Sequence, residues 1–169
     1  MTKQKVTIHC IPIKNNSKTN PTQLHMSAII LVSNSAKKGK SSTLVELASI
    51  FLSKYIDAEI LYSYKHKTSI DFTLIIKAKG SIVAFESQGK PNTQLEKRLE
   101  TIIKNYNPKV LFCTSRTKGE TLQAVNRIVN KFNYNCIKTA TYEVNSNFEL
   151  ANTTKAKHLY YLLIQLDLF

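Results

Sequence analysis

Met26-Ser-Ala-Ile-Ile-Leu-Val-Ser-Asn-Ser-Ala-Lys-Lys-Gly-Lys-Ser-Ser-Thr43 is the stretch from which the fold is read. Its first seven residues form a short, continuous apolar run, the pattern of a strand covered on both faces. A polar loop, SNSAKKGKSST, follows. From Ser42 the apolar period becomes helical, with Leu44, Leu47, Ala48, Phe51, Leu52 and Tyr55 on one stripe. A buried strand feeding an amphipathic helix through a short loop is the repeating unit of a parallel α/β sheet.

The same reading extends in both directions. Residues 5 to 13, KVTIHCIPI, alternate as an edge strand containing Pro12, and a polar linker follows, so residues 1–25 read as an N-terminal edge strand and loop. Beyond the first helix, strands are expected at 59–64, 71–78 and 81–87. The last two meet across Lys79-Gly80, as in a tight hairpin. Pro91-Asn92-Thr93 supplies a turn and a helix cap, and Leu95, Leu99, Ile102, Ile103 and Tyr106 carry a stripe that Pro108 ends. A buried strand at 109–114, a helix through Leu122 to Phe132, a strand at 135–144 and a closing helix over 154–168 complete the order. The expected architecture is one α/β domain over residues 1–169, a three-layer α/β/α sandwich with a mainly parallel sheet and an antiparallel hairpin.

Composition narrows the function. The chain has 169 residues, 43% of them apolar and 21% charged, which suits one packed domain. No apolar run is long enough to span a bilayer, and the opening residues lack the pattern of a secretory signal. The chain therefore reads as cytoplasmic, with no membrane partner. Cys10, Cys113 and Cys136 are odd in number and far apart, which argues against a disulfide scaffold or a zinc site. His9, His25, His66 and His158 have no metal-binding spacing. The net charge is +13, carried by 24 Lys and Arg of which only Arg98, Arg116 and Arg127 are arginine. Lysine is a mobile point charge, suited to polyanions and poor at reading base edges. Tyr62, Tyr64, Lys65, His66 and Lys67 interleave aromatic and basic groups, as a stacking patch or an ordinary hairpin edge would.

In open parallel sheets ligands collect beyond the carboxyl ends of the strands, here SNSAKKGKSST, ESQGKP and TSRTKGE. Asn34-Ser-Ala-Lys-Lys-Gly-Lys-Ser41 resembles the Walker A loop of the P-loop NTPases, G-x-x-x-x-G-K-[ST], with Asn34 standing where that pattern has glycine. Asparagine tolerates a positive φ better than most residues, so the loop is expected to close through it. The run is also similar to the loop of the ParA/MinD-type ATPases, with Ser35 at that group's signature lysine. The resemblance implies that Asn34, Lys38, Gly39, Lys40, Ser41 and Ser42 surround the phosphates of ATP or GTP. Lys40 would bridge the terminal phosphates and Ser41 would ligate Mg2+.

It further implies an acidic residue at the end of a hydrophobic strand, and IVAFESQG offers Glu86 as a magnesium ligand and catalytic carboxylate. The turn Glu86-Ser-Gln-Gly89 resembles the D-x-x-G turn of small GTPases, in which Gln88 would orient water. Arg116, at a strand end, would clamp a phosphate or stabilise transferring charge; the alternatives are an exposed strand-end Glu86 and an Arg116 paired to a helix carboxylate. The N-K-x-D guanine motif has no counterpart, so the base is undetermined. The expected function is a Mg-dependent nucleoside-triphosphate hydrolase or nucleotide switch, with a kinase less favoured. The alternative is a basic nucleic-acid or protein-binding module, acting on nucleic acid or an acidic partner, with a vestigial loop.

Overall fold

The computed structural model describes residues 27–66 and 69–169. The expected strand at 5–13, with His9, Cys10 and Pro12, lies outside the described residues, as do His25 and Lys67. Among the described residues the order is β1 (Ala28–Ser33), α1 (Lys40–Lys54), β2 (Glu59–Lys65), β3 (Phe72–Ala78), β4 (Ser81–Glu86), α2 (Leu95–Tyr106), β5 (Val110–Ser115), α3 (Glu120–Phe132), β6 (Asn135–Thr139) and α4 (Phe148–Gln165). The six strands form one mixed sheet in the order β2-β3-β4-β5-β1-β6. β1 pairs in parallel with β5 and β6, and β4 in parallel with β5; β2 and β3 are antiparallel additions.

β1 lies second from one edge and is buried at all six positions. Alternation then divides the core. Ala28, Ile30 and Val32 join Leu44, Leu47 and Phe51 of α1 and Ala156, Leu159 and Leu163 of α4. Ile29 and Leu31 join Leu99 and Ile103 of α2 and Val125 and Ile128 of α3. The first cluster is aromatic at its centre. The Phe51 ring meets Phe85, Phe112, Tyr160 and Phe169 edge-on at centroid distances of 5.2–6.3 Å.

The β3–β4 hairpin turns through Lys79 and Gly80, at φ 48° and 74°, the paired left-handed residues that a two-residue primed turn requires. Other boundaries differ from expectation. Thr93 does not cap α2: its hydroxyl donates back to the Lys90 carbonyl at 2.6 Å, and Gln94 is the residue at the cap. β6 stops at Thr139, where the chain leaves the sheet, so the expected strand at 140–144 is irregular instead. α4 begins at Phe148, ahead of the expected Thr154; its first turn carries exposed Phe148 and Leu150, which lie off the buried stripe of Ala156, Leu159 and Leu163. No helix among the described residues is long and apolar enough to cross a membrane.

Phe51 has aromatic neighbours on several sides and no exposure, so Phe51→Ala is expected to lower unfolding free energy by about 3–5 kcal/mol. Urea unfolding at unchanged m-value checks this.

Candidate functional site

Because β1, β4 and β5 are parallel, their carboxyl ends open on the same edge of the sheet. A cleft of about 390 Å³ lies there, lined by all of residues 36 to 42, by Ser69, Ile70 and Asp71 before β3, by Ser87, Gly89 and Lys90 after β4, and by Thr114 and Arg116 at the end of β5. The three segments expected to converge do so. Gly89 makes this closeness feasible, since a Cβ there would collide with the Thr114 backbone carbonyl.

The loop closes differently from expectation. Asn34 is not among the residues with positive φ; Lys37 (55°) and Gly39 (73°) are, and they make the turn into α1. Asn34 acts through its side chain instead. Its Oδ1 accepts from the Ser35 amide at 2.7 Å, and its Nδ2 donates to Thr141 Oγ1 at 2.8 Å and Glu143 Oε1 at 3.1 Å. Lys38 pairs with Glu143 at 3.2 Å. The loop is thereby pinned to the segment after β6. Among the described residues, the amides of residues 36 to 42 donate to no protein acceptor, as expected of the open first turn of a helix together with the loop that feeds it.

Lys40 lies half-buried across its own loop, donating to the carbonyls of Asn34 at 2.9 Å and Ser35 at 2.5 Å. Burial, reinforced by the nearby Arg116, lowers its pKa to about 8, with Asp71 opposing. Arg116 forms no ion pair with a carboxylate among the described residues; its guanidinium belongs to a residue that lines the cleft, so the helix-carboxylate alternative is not what the fold builds. Ser42 lines the cleft beside Ser41.

Glu86 is the largest departure. It shares strand parity with Ala84, which points it toward α2, and it is fully buried. Thr73 Oγ1 donates to it at 2.8 Å, the Gln88 amide at 3.0 Å, and Arg98 Nε lies 3.3 Å away. It is therefore neither an exposed strand-end acid nor a lining residue of the cleft that holds Ser41, and Gln88 does not line that cleft either. Glu86 instead ties the turn after β4 to α2, since Arg98 also donates to the Gln88 carbonyl at 2.6 Å.

The carboxylate that meets Ser41 is Asp71. Ser41 Oγ donates to Asp71 Oδ1 at 2.6 Å, with the Ser87 carbonyl 3.2 Å away. Ser69 Oγ and Lys90 Nζ engage Asp71 Oδ2 at 3.0 and 2.9 Å. Burial pushes the Asp71 carboxyl up, but hydrogen bonds from Ser41, Lys90 and Ser69 outweigh it and hold the group below the usual carboxylate range. In the sequence Asp71 was legible only as the first residue of a strand. The available signal was an acid immediately before the apolar run Phe72-Thr-Leu-Ile-Ile76, on a strand paired with β4.

No cluster of three or more His, Cys, Asp or Glu able to enclose a metal occurs among the described residues. Tyr62 and Tyr64 are exposed on the edge strand β2, and Tyr64 and His66 meet edge-on at 4.9 Å. Cys113 is buried, Cys136 is exposed, and both are free thiols.

No protein-family model matches the chain, and no curated protein matches it. Among solved structures, EndoMS in its apo form is similar over 59% of this chain and 47% of its own, at 18% identity and a TM-score of 0.32. The chain spans about half the length of that protein, and a likeness this loose carries no argument about fold or chemistry.

Arg98→Met leaves Glu86 buried without its cation and is expected to cost about 3 kcal/mol in stability. Because neither residue lines the cleft, ligand affinity at a temperature where the variant is folded should stay at the wild-type value, as read by calorimetric titration.

Proposed function

We propose that the chain is a nucleoside-triphosphate-binding domain of the P-loop kind, a three-layer α/β/α arrangement that acts as a Mg-dependent hydrolase or nucleotide switch on ATP or GTP. One observation carries the reading: residues 36 to 42, whose amides donate to no protein acceptor among the described residues, line one cleft with Arg116 and with Asp71, the carboxylate that meets Ser41. Backbone amides at a helix start favour a phosphate, and the positive end of α1 adds to them.

The residues divide the work by charge and position. The loop amides bind the phosphate chain. Lys40 leaves the Asn34 and Ser35 carbonyls for phosphate oxygens, exchanging neutral acceptors for anionic ones. Arg116, with no carboxylate pairing among the described residues, is available to the charge that develops on a transferring phosphoryl group. Magnesium fits the donor set as a partly hydrated ion shared with phosphate, because Ser41 hydroxyl and Asp71 carboxylate are two hard oxygens already 2.6 Å apart. When bound, it neutralises phosphate charge as a Lewis acid. Asp71 takes the place that the sequence reading gave to Glu86, and Lys90 is the cation that holds the carboxylate when no other does.

Lys40→Ala is expected to abolish triphosphate binding without unfolding the protein, since its ammonium contacts only loop carbonyls. Asp71→Asn should remove the magnesium dependence of affinity while leaving metal-free binding in place. Titration of each variant with and without magnesium checks both. Binding should also take up protons: a phosphate raises the Lys40 pKa from about 8, so uptake peaks above that pH and vanishes well below it, where the lysine is already charged. Affinity accordingly falls as pH rises past about 8. Calorimetry in buffers of different ionisation enthalpy reads the uptake. Unchanged binding by Lys40→Ala, with steep salt-dependent affinity for DNA or RNA, would favour the nucleic-acid module instead.

A further inference from the structure

The loop of residues 36 to 39 has two sides. One faces the cationic cleft just described. The other, together with Ser42, forms a wall of a second cleft of about 570 Å³, closed by Tyr142 to Asn145 after β6 and by Phe148, Ala151 and Asn152 at the start of α4. The two clefts thus adjoin across one short stretch of backbone. Their chemistry differs. Both share Lys37 and Lys38, but the first adds Lys40, Lys90 and Arg116, whereas the second adds the Tyr142 and Phe148 rings, the Asn145 and Asn152 amides and the Glu143 carboxylate that pairs with Lys38.

Tyr142 is the residue that sets this second cleft apart. It is 44% exposed, and an exposed tyrosine on irregular backbone would ordinarily swing between rotamers. Here it is held. Its hydroxyl and His158 Nδ1 are 3.0 Å apart, its ring stacks on the His158 ring with centroids 6.4 Å apart, and the Lys155 ammonium lies 5.2 Å from its centroid. Lys155 is itself buried and fixed by Thr139 Oγ1 at 2.7 Å. The cleft's position is fixed too. Asn34 and Lys38 bind Glu143, and Asn152 packs so closely on Gly39 that a Cβ there would collide with it. A flat ring held in register with an anion loop is a preorganised stacking surface.

We propose that this second cleft takes the nucleobase of a nucleotide whose phosphates lie on residues 36 to 42, with Tyr142 as the stacking platform and Asn145 available to the base edge. The inference rests on the triphosphate reading above and deepens it. It assigns residues of this chain to the base of that nucleotide, which inorganic polyphosphate lacks. Glu143 is already engaged by Lys38 and Asn34, so it braces the loop and does not read the base.

Calorimetric titration with inorganic tripolyphosphate, ATP and GTP, each with magnesium, separates the two layers of the argument. Wild-type protein should bind at least one nucleotide more tightly than tripolyphosphate by about tenfold or more, the scale of one stacked base. Tyr142→Ala should erase that advantage while leaving tripolyphosphate affinity in place, and Tyr142→Phe should keep it to within about twofold. Phe148→Ala, at a more exposed position of the same cleft, is the second variant should Tyr142→Ala unfold, and a several-fold loss for nucleotide alone is expected. Equal affinity for tripolyphosphate and both nucleotides overturns the base site and leaves the phosphate loop standing. Binding of none of the three overturns both.

Discussion

β1 has no solvent-facing side. Its six residues are buried, its backbone is paired with β5 on one edge and β6 on the other, and its side chains alternate between two separate hydrophobic clusters. A buried backbone of this kind must be hydrogen-bonded throughout, so the strand has one register and one direction. Everything at the cleft inherits that constraint. The strand ends at Ser33, the Asn34 amide still reaches the Ser115 carbonyl at 3.3 Å, and only then is the chain free to turn. Six residues separate Ser33 from the start of α1. A loop that short, anchored at a buried strand and a buried helix, leaves its amides little choice of position, which is what anion binding without reorganisation needs.

The order and type of the elements were legible because they rest on local patterns. The buried run before Asn34, the helical stripe from Leu44 to Tyr55 and the Lys79-Gly80 turn each carry their own physical signature. The mixed α/β sheet follows from them. The errors sit where a long-range contact decides. Asn34 looked like a backbone problem, a residue standing where a glycine is usual. Its contribution is an amide side chain that reaches Thr141 and Glu143 more than a hundred positions away. Glu86 looked like a site residue from its place at a strand end, yet strand parity alone sends it toward α2. The acid that faces the loop is instead Asp71, immediately before the neighbouring strand β3.

Asp71 was hidden for a related reason. An acid at the first residue of a strand is unremarkable until the antiparallel pairing of β3 and β4 is known, and that pairing sets Phe72 and Ser87 against each other. Ser87 Oγ accepts from the Phe72 amide at 2.7 Å, closing the sheet at the level of Ser41. The Ser41, Asp71 and Lys90 cluster is thus assembled by sheet register and not by sequence proximity. Likewise, the irregular 140–147 segment gave no period to read, although it supplies Tyr142 to the second cleft.

The arrangement of charge explains how the fold tolerates a strongly cationic cleft. Among the described residues, Lys37, Lys38, Lys40, Lys90 and Arg116 line it against the one carboxylate of Asp71. Crowded cations in a partly buried site repel, and the protein relieves this locally. Lys40 sheds part of its affinity for the proton and rests on carbonyls, Lys90 rests on Asp71, and Lys38 turns away to Glu143. The Lys38–Glu143 pair is exposed and therefore weak, and Lys40 rests on neutral acceptors, so both give way readily to a phosphate oxygen; Lys90 is held more firmly, by the buried carboxylate of Asp71. The acidic residues that might have neutralised the cleft directly are placed elsewhere: Glu96 and Glu100 bind Arg127 and Lys131 across α2 and α3. Charge is therefore segregated within a chain of net +13, and the excess of cations over carboxylates at the strand ends leaves a positive field over the cleft that Ser41 and Asp71 line.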